Sequence, residues 1–338
     1  MVVNIGQLTE PKGTSLEALS GKIVAIDAYN TLYQFLSIIR RPDGTPLQDS
    51  AGRITSHLSG LIYRSTHLME KEVKQIFVFD GKPQELKAAV IKARSDRRAD
   101  AKRRWEEAKA LHLDPDLIFK YAQASALIDE TIVEDAKALL TYLGIPYVQA
   151  KEEGEAQAAY MVQKGDAELV ASQDYDSLLF GAPVMIRNIS APRRKAQLEL
   201  VAFTELAEKH GITREELVDI AILIGTDFNS GIKGIGVKRA LKLIKKHHTI
   251  ERLLNESAIE IAQIENYKLI RSIFLQPAVN ESYEIAWGTP DEDKVKEFLC
   301  EEHNFSEERV SKILRKIEKI EQKKIAVTGS QKKIEQWL

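Results

Sequence analysis

Lys22-Ile-Val-Ala-Ile-Asp27 and Gln75-Ile-Phe-Val-Phe-Asp80 decide the fold. Each is a short apolar run closed by a carboxylate, the pattern of a buried strand with an acid at its C-terminal end. Two weaker versions follow: Ile145–Val148 ahead of Glu152-Glu153-Gly154-Glu155, and Glu168–Ser172 ahead of Asp174-Tyr175-Asp176. Helical stretches separate them, Thr55–Lys71 and Thr131–Leu143, the second stopped by Gly144 and Pro146. Strands alternating with helices predict an α/β fold with a mostly parallel central sheet flanked by helices. Ligands bind such sheets outside the carboxyl ends of the strands, where these acids recur.

Outward from this frame, Gly81 to about Glu130 is polar, helix-forming and broken once, at Leu113-Asp-Pro115-Asp. It has too few large apolar residues for a core of its own and reads as helices projecting from the sheet edge. After Thr213 the chain reads as helical to the end, interrupted mainly at Gly231–Gly236, until Lys323–Ser330 loses periodicity and reads as a linker. The boundaries predicted are a single domain over 1–322 (about 1–98, an insertion of about 82–130, then 131–227 and 228–322) and a flexible tail over 323–338.

The 338 residues, 44% hydrophobic and 29% charged, exclude a disordered or fibrous chain. No apolar run reaches the roughly 18 residues of a membrane span, and no signal peptide is visible. The single Cys300 excludes an internal disulfide framework and a cysteine-based zinc cluster, so an intracellular protein is expected. The net charge of −2 hides a pattern. Lys82–Lys109 carries ten basic residues against five acidic ones, and Phe228–Ile250 carries six basic residues and no acid. Such runs are solvated helix faces or docking patches for a polyanion.

Seven carboxylates draw attention: Asp27, Asp80, Glu153, Glu155, Asp174, Asp176 and Asp227. Residues two apart in extended chain point the same way, so each Glu/Glu and Asp/Asp pair can aim two carboxylates into one site. Crowded carboxylates repel unless a cation is present. Hard divalent ions suit such oxygen ligands, and the absence of His and Cys argues against zinc. Two ions about 4 Å apart would support in-line displacement at a phosphodiester. Singly, an Asp after a strand is as readily a helix N-cap. Four strand-end clusters together favour the metal site.

Gly231-Ile-Lys-Gly234-Ile-Gly236-Val-Lys-Arg-Ala240 follows no clear strand and lacks the third glycine of a dinucleotide fingerprint. It reads as a hairpin between two helices, the second starting near Val237. Free N–H groups there, with Lys238, Arg239 and Lys242, would grip a DNA backbone without reading sequence, as helix-hairpin-helix modules do. At the C-terminus, Gln331, Ile334, Trp337 and Leu338 form a short apolar motif suited to another protein's pocket. The alternative is a tail folded back on its own surface.

Taken together, Ile26-Asp27-Ala-Tyr-Asn-Thr-Leu-Tyr33, Val78-Phe-Asp80-Gly-Lys-Pro, Glu153-Gly-Glu155-Ala-Gln-Ala, Ser172-Gln-Asp174-Tyr-Asp176 and Gly225-Thr-Asp227-Phe give the chain its resemblance to the structure-specific 5′ flap endonucleases, nearest the archaeal ones. The resemblance spans almost the whole chain. It implies a Mg²⁺-dependent endonuclease and 5′-exonuclease acting at single-strand/double-strand junctions in replication and repair. Products would be 5′-phosphate and 3′-hydroxyl ends. It implies two Mg²⁺, with Mn²⁺ as substitute, Asp27, Asp80, Glu153 and Glu155 serving the first and Asp174, Asp176 and Asp227 the second, Glu155 between them. Lys87 and Arg94 would contact the scissile phosphate, and Tyr33 would stack on a base. The 82–130 insertion becomes a helical arch for the 5′ strand, lined by Arg97, Arg98, Arg103 and Arg104. The partners implied are branched DNA with a 5′ flap and, through the C-terminal motif, a sliding clamp of the proliferating cell nuclear antigen type. The protein alone would be a monomer, cytoplasmic and DNA-associated.

The sequence departs from that family at Val2, where Gly is usual, at Gly231, where some relatives hold K⁺ partly through Ser, and at Val237, where Pro is common. A K⁺ at the hairpin would therefore rest on carbonyls. The segment after Ile186 is short, which predicts a reduced substrate loop. Two rivals remain, an RNA-directed metal nuclease and a non-catalytic junction binder. The hairpin and the C-terminal motif argue against the first, and the retention of all seven acids argues against the second.

Overall fold

The computed structural model describes residues 3–191, 197–256, 259 and 264–335, with side chains to 322. One sheet holds β1 (Lys12–Thr14), β2 (Ile23–Asp27), β3 (Lys74–Phe79), β4 (Tyr147–Gln149), β5 (Leu169–Ala171), β6 (Val184–Arg187) and β7 (Leu198–Ala202), in the order β1-β7-β6-β5-β2-β3-β4. The run from β6 to β4 is parallel, and β7 and β1 add an antiparallel margin. The mostly parallel sheet is therefore as predicted. Strands β1, β6 and β7 were not legible as strands: β1 is exposed, and β7 is largely half-buried with no alternation.

Helices α1 (Ala28–Ile38) and α2 (Ser56–Glu70) join β2 to β3. Helices α3 (Ala88–Ala110), α4 (Pro115–Ala124) and α5 (Glu130–Tyr142) stand between β3 and β4. Helix α6 (Gly154–Lys164) links β4 to β5, and α7 (Asp176–Leu179) links β5 to β6. Beyond the sheet run α8 (Phe203–His210), α9 (Arg214–Ile224), α10 (Val237–His247), α11 (Ile250–Asn255), α12 (Tyr267–Leu275), α13 (Glu292–Lys296) and α14 (Glu307–Glu335).

Strand alternation sorts two cores onto the two faces of the sheet. Ala25, Ile76, Val78 and Val170 face the core completed by α6, α9, α10 and α12. Val24, Ile26, Phe77, Phe79 and Ala171 face the one completed by α1, α2, α5 and the first half of α14. A doubly covered sheet explains why β2 and β3 read as unbroken apolar runs.

The 82–130 insertion is the helical pair expected, broken at Asp114, which caps α4. Helix α3 is mostly solvated. Val90, Arg94, Arg98, Ala101, Trp105 and Ala108 are among its less exposed residues, recur three or four apart and mark one inward face, with half-buried Asp100 and Lys109 beside it. The far end leans on the α1–α2 loop: Trp105 Nε1 donates to the Asp43 carbonyl at 3.1 Å, and Lys109 Nζ lies 3.0 Å from Asp43 Oδ2.

Two expectations about the C-terminal half are corrected. Helical structure is broken not only at the glycine hairpin but also over 276–291, an irregular strap. There Asn280 bonds Gln157, and Trp287 Nε1 donates to the Gln75 carbonyl at 3.1 Å. Residues 323–330, read as a linker, continue α14, which runs to Glu335. Its first half is anchored by buried Val310, Ile313, Leu314 and Ile317, and the nucleated helix continues through Val327-Thr-Gly-Ser330, whose low helix propensity is what made the segment read as a linker.

Candidate metal centre and nucleic-acid interface

The connection from β2 leads outward through β3 to β4, then returns across the sheet to β5 on the other side of β2. That reversal opens a crevice at the carboxyl ends of β2 and β5, the usual ligand position in open α/β sheets. All seven predicted acids converge there. Asp27 ends β2 and Asp80 follows β3. Glu153 and Glu155 open α6, Asp174 lies between β5 and α7, Asp176 opens α7, and Asp227 comes from the α9–α10 connection.

Backbone and hydroxyl groups hold the cluster in place. Asp27 is both N-cap and candidate ligand: its Oδ1 accepts the Asn30 N–H at 3.0 Å, while Oδ2 lies 3.2 Å from Ser172 Oγ. Ser172 Oγ is also 2.8 Å from Glu155 Oε1 and accepts the Asp174 N–H at 3.2 Å. Ser177 Oγ reaches the same Glu155 oxygen at 3.2 Å. Asp80 Oδ1 accepts the Gly154 N–H at 2.7 Å, and a Cβ on Gly154 would lie 2.6 Å from that oxygen. Asp227 sits in a turn tied by Thr226 and Asn229, whose Nδ2 donates to the Ile222 carbonyl at 2.8 Å. The N-terminal segment packs beneath: Val3 and Ile5 are fully buried, Gly6 lies against the Tyr175 ring, and the Val3 backbone is near enough to Asp176 to favour its ionised form.

Asp27, Asp176 and Asp227 are buried, and the other four acids keep partial exposure. Burial, then Asp80 and Asp174, push the Asp27 carboxyl up to about 8. Burial with Asp174 and Asp227 pushes Asp176 up to about 7, and burial with Glu153 pushes Asp80 up to about 6. Glu155 is raised by burial, then Asp176, Asp174 and Asp27, and Asp174 by burial and Asp227. Carboxyls that resist ionisation for want of counter-charge mark a cation site. Asp176 Oδ1 supports this, being buried with no hydrogen-bond partner among the described residues.

Two cations from the arch base meet the cluster. Lys87 Nζ pairs with Glu153 and lies 3.8 Å from Asp227 Oδ2. Arg94 Nη2 bonds both Asp227 oxygens, at 2.6 and 2.7 Å. Burial works against the Lys87 ammonium, but Glu153, Asp227 and Asp80 hold its pKa above the ordinary lysine value. Among the described residues, no three His, Cys, Asp or Glu side chains could by themselves hold a metal ion. The donor set nevertheless fits Mg²⁺: it is all hard oxygen, and Mg²⁺ completes its shell with water rather than demanding an all-protein cage.

The remaining predicted residues fall in distinct places. The Tyr33 ring on α1 carries the Arg98 guanidinium 5.7 Å from its centroid, so α1 meets α3 there. Arg97 faces outward on α3. Arg103 pairs with Asp100 and Glu107, and Arg104 with Asp100, all on the solvated surface of the helix. At the hairpin, Gly231 has φ +68° and a Cβ there would stand 2.4 Å from the Gly225 nitrogen, so the two helices meet only because it is bare. Gly234 also has positive φ, and Gly236, the N-cap of α10, has open space before it. Lys238, Arg239 and Lys242 are exposed on α10. Gln331 and Ile334 lie on the last turns of α14, and Trp337 and Leu338, with Val2, lie outside the described residues. Sequence reasoning gave no role to Ser172, Ser177, Thr226 and Asn229, which position the acids. Their signal was proximity alone, one or two residues from a candidate ligand.

This arrangement defines the XPG-type nucleases as its class: the XPG N-terminal domain matches residues 5–101, and the XPG I-region matches residues 144–227. The flap endonuclease 1 of Methanocella arvoryzae is 49% identical and that of Archaeoglobus fulgidus 48% identical, each alignment covering the whole of both chains. The solved flap endonuclease-1 of Methanococcus jannaschii superposes with TM-score 0.77 at 37% identity, over 95% of this chain and 99% of that one. The catalytic core of Rad2 in complex with DNA substrate shares the fold at TM-score 0.69 and 22% identity, over 92% of this chain and 97% of that one. The chain belongs to the flap endonuclease 1 family. That family's nucleases are metal-dependent, generally with Mg²⁺.

Proposed function

We propose that the protein is a structure-specific 5′ flap endonuclease and 5′-3′ exonuclease that hydrolyses DNA phosphodiesters at single-strand/double-strand junctions. The observation that carries the reading is the convergence of seven carboxylates from five connections on one crevice, with Lys87 and Arg94 beside them. The seven acids would hold two Mg²⁺, with Mn²⁺ as substitute. When bound, the ions supply an activated water and neutralise charge developing on the phosphate oxygens.

The chain's own residues do the rest. Once turned from Glu153 and Asp227, Lys87 and Arg94 present N–H donors to the scissile phosphate, and Tyr33 offers a ring face to the base beside it. Helix α10 with Gly234 and Gly236 grips the duplex backbone away from the cut, through N–H groups and Lys238, Arg239 and Lys242. A K⁺ ion at the hairpin would rest on carbonyls around Gly231. The C-terminal motif at Gln331–Leu338 would tether a monomeric enzyme to a sliding clamp. Among the described residues no helix is long and apolar enough to cross a membrane.

Single-turnover cleavage of a labelled double-flap DNA in Mg²⁺, with Ca²⁺ as the binding-only control, tests the reading. One major junction cut requiring Mg²⁺ is expected. Tight binding without a cut overturns it, as does preference for an RNA flap. Removal of Gln331–Leu338 should abolish stimulation by the clamp and spare basal cleavage.

A further inference from the structure

We infer that Arg94 is the resident counter-ion of Asp227 in the DNA-free protein, and that divalent ions compete with the arch-base cations for the acids they pair with. The inference rests on the reading of the seven carboxylates as the metal centre and adds a regulation of that centre. Arg94 Nη2 engages both oxygens of Asp227, a side chain that is buried. Lys87 Nζ is paired with Glu153 and stacks 5.1 Å from the centroid of Phe228, the residue after Asp227. Both cations belong to the arch insertion. Both acids belong to connections outside it, one opening α6 and one following α9. The two pairs therefore pin the arch base across the crevice.

A guanidinium that donates to both Asp227 oxygens takes one lone pair on each and sets a positive charge beside the place a cation would occupy, so Arg94 and the ion compete for this carboxylate. Loading Asp227 thus favours departure of Arg94. The root of the arch is fixed by Leu86 against the core and by the Gly81 and Lys82 amides on the carbonyls of Glu152 and Lys151, while over 88–98 the further contact is Arg98 on the Tyr33 ring. Ala101 and Ala108 are the buried residues of α3, and the Trp105 and Lys109 contacts lie at its far end. Ion loading then frees the arch base and turns the Lys87 and Arg94 donors from carboxylates to an incoming phosphate. The guanidinium offsets part of the repulsion among the carboxylates and steps aside when the ions take over that duty.

The test is Mn²⁺ titration of the DNA-free full chain by electron paramagnetic resonance, with hydrogen exchange of the amides over 88–98. Arg94→Gln should bind Mn²⁺ about fivefold more tightly than the parent, the order expected when a partly exposed competing ion pair is removed. Lys92→Gln takes the same charge from an exposed site on the same helix and should change affinity by less than about twofold, since exposed charges are screened. Saturating Mg²⁺ should speed exchange over 88–98 in the parent and leave Arg94→Gln unchanged. Equal or weaker Mn²⁺ binding by Arg94→Gln, an equal gain in Lys92→Gln, or slower exchange with Mg²⁺ overturns the inference. If the parent binds Mn²⁺ no better than Asp227→Asn, the metal-centre reading itself fails.

Discussion

Raising the pH in EDTA should destabilise this protein, and Mg²⁺ should reverse the loss. Asp27, Asp176 and Asp80 titrate near 8, 7 and 6 in the folded chain, against an ordinary value of 3.8. A carboxyl whose folded pKa is raised binds its proton more tightly folded than unfolded. Its contribution is complete below the unfolded pKa and is lost as pH climbs through the folded one. Here that window runs from about pH 4 to about pH 8, and its upper part is the most accessible. Across pH 6 to pH 8 the folded chain holds on average between one and two protons on these three groups that the unfolded chain has already lost. At about 1.4 kcal/mol per proton per pH unit, with their mutual coupling shared, stability should fall by roughly 2–4 kcal/mol. For a chain of this size that is about 3–6 °C in Tm, followed by scanning calorimetry in buffers of matched ionic strength. Asp176→Asn deletes one titrating group and should remove about a third of the fall, raising Tm at pH 8 in EDTA. Excess Mg²⁺ should stabilise more at pH 8 than at pH 6, because the ionised form is the ligand. A Tm that stays flat or rises from pH 6 to 8 in EDTA, or an Asp176→Asn variant with the parental slope, would refute the argument.

Gly154→Ala puts a methyl 2.6 Å from Asp80 Oδ1 and should lower single-turnover cleavage by at least about tenfold while shifting Tm by less than about 3 °C. Gly231→Ala adds a Cβ 2.4 Å from the Gly225 backbone at a positive φ, and should cost about 2–4 kcal/mol in urea unfolding and weaken duplex binding. Trp105→Ala removes the tie between α3 and the Asp43 carbonyl. It should leave Tm within about 1 °C of the parent, as surface changes do, but speed proteolytic nicking of the 82–130 segment.

Much of this molecule is written locally. Strands β2 and β3 are apolar runs because both faces of the sheet are covered, and their closing acids are legible because buried strands seldom end in charge without a reason. The arch broke at Asp114-Pro115, and α10 started at Val237, where local capping rules placed them. Propensity failed where tertiary pairing decided. Strands β1 and β7 are short, partly exposed and held mainly by their neighbours' N–H and C=O groups. Residues 323–335 extend a helix whose anchor lies a dozen residues earlier. Nor could the sequence tell which arginines of α3 face inward, because its charge is spread evenly around the helix. Only the docked helix separates Arg94 and Arg98 from Arg97, Arg103 and Arg104. The sequence by itself determined the donor types and their strand-end positions. The tertiary structure alone decided that acids two hundred residues apart share one crevice, that Ser172 holds Asp27 to Glu155, and that Arg94 neutralises Asp227. Those are long-range contacts, and they exist because the order of strands folds back at β2.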